Sequence, residues 1–195
     1  RHWAGEPLEP DCLLQRFVPG TPVSALLATD GRRCTLLGMT EQLVGRPELG
    51  SQGFQWCGNI LPLELPAGRQ ERVRAAVTAM ASAITRRFGL RGLNGLDLIL
   101  PADGEPVLLE VNPRYTGSME LIELAGGPTL FAVHMAACAG RLPPAGASER
   151  ADGCWGKAIV YARRPVVIGD TGDWRARGRR WPAGGTGERS SPGRG

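Results

Sequence analysis

Four polar residues that could act on a metal ion or a phosphate are grouped in one short stretch of the sequence. Asp97 lies in an apolar run, and Glu110, Asn112 and Arg114 follow it after an Asp-Gly pair at 103–104. Asp-Gly between two apolar runs is a strong signal for a β-hairpin with a two-residue turn. Such a turn pairs Asp97 directly with Glu110, with the side chains roughly 5 Å apart, and it places Asn112 on the same face.

Two carboxylates that face each other on an apolar hairpin repel, so a partner of opposite charge is expected. Mg²⁺ is a suitable partner because it takes oxygen ligands such as carboxylates, usually alongside phosphates. The alternative is a pair of solvated acids at a sheet edge, with no ligand. Asn112 and Arg114 favour a site, since each could contact the same metal ion or anion.

The elements that must position this hairpin are predicted from apolar patterns and turn residues. Upstream strands are predicted over Leu13–Val18, Pro22–Ala28, Cys34–Met39 and Phe54–Ile60. The clearest helix runs over Arg69–Phe88 and is stopped by Gly89. Its apolar stripe, interpreted as core packing, consists of Val73, Val77, Met80, Ile84 and Phe88.

Two shorter helices are predicted after the hairpin, over Met119–Leu124 and Thr129–Ala139. Ser118 could cap the first, and His134 in the second is interpreted as a packed or capping histidine. Beyond a linker that begins at residue 143, two strand candidates follow, Gly156–Tyr161 and Pro165–Ile168.

Composition limits the class of protein. A chain of 195 residues holds one domain, or a domain plus a partial neighbour. It contains no apolar run near the roughly 20 residues of a membrane span and no signal-peptide pattern. Five widely spaced cysteines argue against a disulfide framework and for a reducing compartment, so a cytoplasmic location is expected.

The net charge of +4 is unevenly distributed and does not indicate a nucleic-acid partner. From Gly156 onward nine basic and three acidic residues give +6, whereas the fourteen basic and sixteen acidic residues before it give −2. The positive excess therefore belongs to the C-terminal part, where residues 171–195 are too rich in Gly, Arg and Pro to bury a core. A solvated tail is the favoured interpretation, and nucleic-acid binding through it stays the alternative.

Three motifs together resemble the ATP-grasp superfamily, in its carboxylate-amine ligase-like, carbamoyl-phosphate-synthetase-related branch. Gln15-Arg16-Phe17-Val18-Pro19-Gly20 is similar to the strand whose backbone holds adenine. Asn94-Gly95-Leu96-Asp97 after a long helix looks like the first metal-ligand strand. Leu109-Glu110-Val111-Asn112-Pro113-Arg114 is similar to the E-x-N-x-R signature. The resemblance covers roughly residues 13–140 and implies an α+β fold, an antiparallel sheet with packed helices followed by a small partial β segment.

The resemblance also implies residue roles and ligands. Asp97, Glu110 and Asn112 would hold Mg²⁺, with Mn²⁺ as an alternative, and Arg114 would orient a phosphate or carboxylate. Gln15, Arg16, Phe17, Val18 and Leu109 would contribute to the adenine site. The implied reaction activates a small carboxylate with ATP for attack by an amine. The segments Val44–Gly53, Gln55–Asn59 and Tyr115–Glu120 are candidate substrate contacts, and a homodimer is left open.

Two family features have no counterpart here, namely the Gly-rich, Lys-bearing phosphate loop and the acidic ribose ligand. Residues 1–12 contain no lysine, and Pro22-Val23-Ser24 occupies the ribose position. We therefore expect a fragment or truncated product of a longer ligase, with an inactive nucleotide-binding module as the alternative function. The expected divisions are a loop remnant (1–12), the C-terminal ATP-grasp subdomain (13–142), a linker with a small β segment (143–170) and a tail (171–195).

Overall fold

Six strands, all paired antiparallel, form a single sheet in the computed structural model, which describes residues 14–145 and 153–170. The strands are β1 (Thr21–Asp30), β2 (Cys34–Val44), β3 (Trp56–Leu61), β4 (Arg91–Leu100), β5 (Val107–Asn112) and β6 (Trp155–Ala158). The helices are α1 (Ala67–Phe88), α2 (Glu120–Leu124) and α3 (Leu130–Cys138), and Pro47–Leu49 forms a 3-10 turn. The order across the sheet is β5-β4-β1-β2-β3-β6.

Helices cover both faces of the sheet, because its central strands are apolar on both sides. On one face α1 buries Val73, Val77 and Ala81 against residues of β1, β2 and β4 such as Ala25 and Leu96. On the other face α2 and α3 pack against the alternating residues of the same strands, including Leu26, Leu37 and Leu93. The predicted α+β class is thus confirmed, and the predicted late β segment supplies β6 at the edge of the same sheet.

The turn from β1 to β2 is fixed by the side chain of Asp30. Its Oδ1 accepts hydrogen bonds from the backbone N–H groups of Arg33 (2.7 Å) and Arg32 (3.0 Å), and its Oδ2 pairs with the Arg33 guanidinium at 2.7 Å. The backbone hydrogen bonds from Arg33 and Arg32 lower the pKa of Asp30 to about 2. The carboxylate is therefore ionised at neutral pH and holds the two long strands together.

The predicted strand Leu13–Val18 is wrong in its described part. Residues 14–19 have no regular structure, and Leu14 and Phe17 are 57% and 66% exposed. Phe17 lies near the ring of Phe54, with 6.3 Å between the ring centroids. An apolar run becomes a strand only when another strand pairs with it, and β4 pairs with β1 from Thr21 onward instead.

Three local predictions also require correction. Phe88 is 68% exposed, so it does not belong to the core stripe of α1, in which Ala81 and Thr85 are buried. Ser118 makes no capping hydrogen bond to α2, whose N-cap is Met119. The second late strand, Pro165–Ile168, is not formed, and Val167 and Ile168 are exposed.

The interpretation of His134 as a packed residue is confirmed, because its Nδ1 accepts a hydrogen bond from the backbone N–H of Leu93 at 3.2 Å. The predictions for residues 1–12 and 171–195 lie outside the described residues. Within the described part of the chain, no helix combines the length and apolar character that a membrane crossing requires.

Candidate functional site

The hairpin of β4 and β5 brings Asp97 and Glu110 opposite each other, as the sequence predicts. The route to this register differs from the prediction. Asp103-Gly104 is not a two-residue turn, because regular pairing stops at Ile99 and Val107 and a longer loop joins the strands. A β-bulge between Asp97 and Leu98 then offsets the longer loop, since Leu98 pairs with Leu108 and leaves Leu109 as the extra residue.

The bulge also determines which side chains face the site. Leu108 and Val111, three residues apart, both pack against the α1 core. Glu110 and Asn112 line the opposite face together with Asp97. The inserted Leu109 is partly exposed. A local irregularity in β5 is thus what aligns the predicted metal ligands.

Asp97 is held by polar groups from two neighbouring strands. Its Oδ1 accepts hydrogen bonds from the Ser24 hydroxyl of β1 (2.9 Å) and from the Gln42 amide of β2 (2.7 Å). Gln42 also donates to the Ser24 oxygen at 2.6 Å. The other carboxylate oxygen, Oδ2, accepts a hydrogen bond from the Asn112 amide nitrogen at 2.9 Å.

Asn112 links Asp97 to Arg114. The amide is buried, and its Oδ1 accepts a hydrogen bond from the Arg114 guanidinium at 3.1 Å. The exposed guanidinium also donates to the backbone carbonyl of Tyr115 at 3.2 Å. Partial burial raises the pKa of the neighbouring Tyr115 phenol, and the charges of Glu123 and Glu120 raise it further. Arg114 is thus a cationic group that Asn112 links to the Asp97 carboxylate.

These residues line a cleft of about 290 Å³ on the face of the sheet opposite α1. Its lining comprises Ser24, Gln42, Trp56, Asn59, Asp97, Glu110, Asn112, Arg114, Thr116, Gly117 and Ser118. Asn59 accepts a hydrogen bond from the Trp56 indole (2.9 Å) and donates one to Thr40 (2.9 Å). The cleft thus has carboxylates at one end and an indole with an amide at the other.

A lysine from β6 contacts the loop that lines the cleft. Lys157 pairs with Glu120 at 2.6 Å and donates to the Gly117 carbonyl at 3.3 Å. Gly117 lies close to Trp56: a Cβ atom added at Gly117 would be 3.3 Å from the indole ring. Contacts from β3 and β6 therefore fix the loop that follows Arg114.

The donor set fits a hard divalent cation. In the described residues no group of three or more His, Cys, Asp or Glu side chains could hold a metal, so the site depends on the Asn112 amide in addition to two carboxylates. Oxygen ligands of this kind suit Mg²⁺ or Mn²⁺, which bind through one or two carboxylates and complete their coordination with water or phosphate oxygens. The openness of the cleft to solvent leaves room for such additional ligands.

The predicted adenine residues are not brought into this cleft. Gln15, Arg16, Phe17 and Val18 precede β1, and Leu109 lies on the β5 bulge. None of them is among the described residues that line the cleft. Their role in holding adenine stays a prediction.

Sequence reasoning missed Ser24 and Gln42. Each is a polar residue in an otherwise apolar strand, which is a signal, but many polar residues in strands face solvent. Ser24 pairs with both Asp97 and Thr40, so the link appears only once β1 is known to lie between β2 and β4. In contrast, Trp56, Asn59 and Thr116–Ser118 fall within the predicted contact segments.

The sheet and its cleft define an α+β protein with an acidic, oxygen-lined site, and comparison with known families is consistent with this. Residues 2–118, more than half of the 195, match the family model of the ATP-grasp domain. The chain belongs to the ATP-grasp family.

Known proteins similar to this chain include ligases and carboxylases. A D-alanine–D-alanine ligase of Parabacteroides distasonis is 31% identical over 103 residues, which are 52% of this chain and 30% of that ligase. The biotin carboxylase domain of a single-chain bacterial carboxylase matches with a TM-score of 0.57 at 19% identity, covering 73% of this chain and 33% of that one.

A second similar structure contains a nucleotide. The biotin carboxylase domain of Hydrogenobacter thermophilus 2-oxoglutarate carboxylase, in complex with MgADP, ADP and bicarbonate, matches with a TM-score of 0.51 at 17% identity. That match covers 69% of this chain and 28% of the other. The chain thus spans about a third of the length of these relatives.

Proposed function

We propose that this chain is the Mg²⁺-dependent, ATP-binding part of a ligase that activates a carboxylate as an acyl phosphate for attack by an amine. The observation that carries the proposal is the convergence of Asp97, Glu110, Asn112 and Arg114 on one cleft. Membership of the ATP-grasp family supports it. The ligase among the similar proteins, D-alanine–D-alanine ligase, supports a reaction that joins an amine to a carboxylate.

Asp97, Glu110 and Asn112 are the proposed ligands of Mg²⁺ or Mn²⁺. When bound, the metal ion supplies positive charge next to the phosphate oxygens of ATP. Asp97 and Asn112 are already held within hydrogen-bond distance of each other, so little side-chain freedom remains to be lost on binding. Glu110, opposite Asp97 and exposed at the cleft, supplies the second carboxylate.

Arg114 is the proposed phosphate-orienting residue. Its guanidinium is exposed and adjacent to the proposed ligand Asn112, and a planar fork of donors matches a phosphate or carboxylate in two contacts. Positive charge at this position would stabilise the negative charge on the transferred phosphoryl group. The adenine contacts of Gln15, Arg16, Phe17, Val18 and Leu109 belong to the same proposal.

Substrates and assembly are proposals at the same level. We propose a small-molecule carboxylate and an amine as substrates, and no nucleic-acid or membrane partner. A cytoplasmic location fits the cysteine pattern. Assembly into a homodimer is a further proposal.

ADP release tests this function. A full ligase that contains this chain, with ATP and Mg²⁺, is assayed against a panel of carboxylates with and without amines, beside its Asp97→Asn and Arg114→Ala variants. We expect ADP release that requires a carboxylate and is lost in Asp97→Asn. ATP binding without ADP release from any pair would favour the second candidate, a nucleotide-binding module without catalysis. ADP release that persists in Asp97→Asn would contradict the proposed site.

A further inference from the structure

The side chain of Asp97 is held by two residues that lie on other strands and that the proposed function does not use. Ser24 sits directly opposite Asp97 in the pairing of β1 with β4. Gln42 comes from β2 and reaches diagonally across β1 to the same carboxylate. We propose that Ser24 and Gln42 are positioning residues that orient the Asp97 carboxylate for metal binding, an inference that rests on the proposed function.

The hydrogen bonds assign different tasks to the two carboxylate oxygens. Oδ1 accepts from the Ser24 hydroxyl at 2.9 Å and from the Gln42 amide at 2.7 Å. The 2.6 Å contact from Gln42 to the Ser24 oxygen closes a triangle of three polar groups. Oδ2 contacts the amide of Asn112, which is itself a proposed ligand. Oδ2 has no partner in the triangle and accepts one hydrogen bond from Asn112 Nδ2, so its second lone pair is the one we assign to the metal.

The location of the three groups restricts the Asp97 carboxylate to one orientation. Ser24 is 5% exposed, and its hydroxyl donates to Asp97 and accepts from Gln42. Gln42 and Asp97 lie on strands that are separated by β1, so their backbones are roughly 10 Å or more apart. Glutamine reaches across this separation, whereas the side chain of asparagine is one methylene shorter. Residues that orient a metal ligand in this way commonly change metal affinity by about 10–100-fold when they are removed.

A purely structural role is the competing explanation, because a buried hydroxyl and a half-buried amide need partners wherever they occur. The two roles differ in what their loss should change. Loss of a structural hydrogen bond lowers the stability of the fold, whereas loss of a positioning hydrogen bond lowers metal affinity specifically through Asp97.

The test measures the affinity of the whole protein for Mn²⁺·ATP by calorimetry, with metal-free ATP as the reference, and unfolding is followed in parallel. The variants are Ser24→Ala, Gln42→Met and Gln42→Asn. The asparagine variant keeps the amide but shortens its reach, so it stays informative if the methionine variant folds poorly. We expect Mn²⁺·ATP binding weaker by about tenfold in each variant, with metal-free ATP unaffected.

Thr29→Val is the matched control. Thr29 is buried in the same pair of strands and accepts a hydrogen bond from Asn94 at 2.7 Å, five pairs along from Ser24. Its loss removes a buried hydrogen bond of the same kind, far from the cleft. We expect a loss of stability comparable to that of Ser24→Ala, and Mn²⁺·ATP binding equal to wild type.

Combination with Asp97→Asn separates the possible outcomes. If Gln42 acts through Asp97, Gln42→Met has no further effect on Mn²⁺·ATP affinity in the Asp97→Asn background. Wild-type affinity in Ser24→Ala and all Gln42 variants, together with a loss in Asp97→Asn, would overturn the positioning role alone. If wild type does not bind Mn²⁺·ATP, or Asp97→Asn binds it normally, the proposed function fails and this inference fails with it.

Discussion

At the scale of single residues, Asn112 lies between a carboxylate, which accepts a hydrogen bond from its amide, and a guanidinium, which donates one to it. Its amide nitrogen donates to Asp97, and its amide oxygen accepts from Arg114. The amide oxygen is also the atom that a metal ion would require, because metal ions bind the oxygen of an amide side chain. A bound metal ion would therefore compete with Arg114 for Asn112 Oδ1, and a phosphate that engaged the guanidinium would relieve this competition.

This competition predicts opposite effects of Arg114→Ala on two ligands. Without nucleotide, we expect Mn²⁺ to bind about fivefold tighter, since the loss of one charge-assisted hydrogen bond and of a nearby cation both favour the metal. ATP binding in the presence of metal should weaken by about tenfold, because the phosphate loses a guanidinium partner. Manganese titration followed by electron paramagnetic resonance measures the first effect, and calorimetry measures the second.

Arg86→Ala serves as the control for charge alone, because Arg86 is exposed on α1, on the opposite face of the sheet. It should leave both affinities unchanged. Tighter Mn²⁺ binding that persists when Arg114→Ala is combined with Asn112→Ala would show that Arg114 acts by long-range repulsion and not through the amide oxygen.

The sequence alone predicted the four principal residues of the site, because a strand has a period of two and the facing acids needed no distant information. It could not predict Ser24 or Gln42. Gln42 is 55 residues from Asp97 in the chain, and only the pairing of three strands brings the two together. Positions that depend on long-range pairing carry only a weak local signal, here a polar residue in an otherwise apolar strand.

At the scale of elements, the β4–β5 hairpin shows how a correct register can follow from an incorrect turn. The sequence predicted a tight Asp-Gly turn, whereas the structure has a longer loop and a bulge that compensates for it. The strand predicted over Leu13–Val18 failed for a related reason, since no neighbour pairs with residues 14–18. Apolar patterns identify the strands but not their partners.

Helix α1 gives a quantitative element-scale prediction. Val77 is fully buried against the sheet, whereas Phe88 at the last turn is 68% exposed with the Arg87 guanidinium 5.5 Å from its ring centroid. We expect Val77→Ala to lower the free energy of unfolding by about 2 kcal/mol, through lost burial and a cavity. Phe88→Ala should lower it by less than about 1 kcal/mol, despite the larger side chain removed.

Denaturant unfolding of the two variants provides the measurement. Equal losses of stability, or a greater loss in Phe88→Ala, would mean that the phenylalanine belongs to the core stripe as its spacing suggests.

At the scale of the whole molecule, polar side chains form a row across the face of the sheet opposite α1, beside the apolar residues that pack against α2 and α3. Asn59, Gln42, Ser24, Asp97 and Glu110 come from five successive strands in the sheet order, and all line one cleft. Buried polar residues at the centre of a sheet lower the stability of the fold unless they form hydrogen bonds or bind a ligand. Their alignment across the sheet, together with the ATP-grasp family membership, supports the proposal that this cleft is the functional face.

We propose that this face holds Mg²⁺·ATP through Asp97 and Glu110, and calorimetric titration with Mg²⁺·ATP tests this proposal. Glu105→Gln is the matched control, because Glu105 is an exposed carboxylate in the loop of the same hairpin. We expect weak binding that needs Mg²⁺, survives in Glu105→Gln, and weakens by at least about tenfold in both Asp97→Asn and Glu110→Gln. Binding of equal strength in all three variants, or without Mg²⁺, would contradict it.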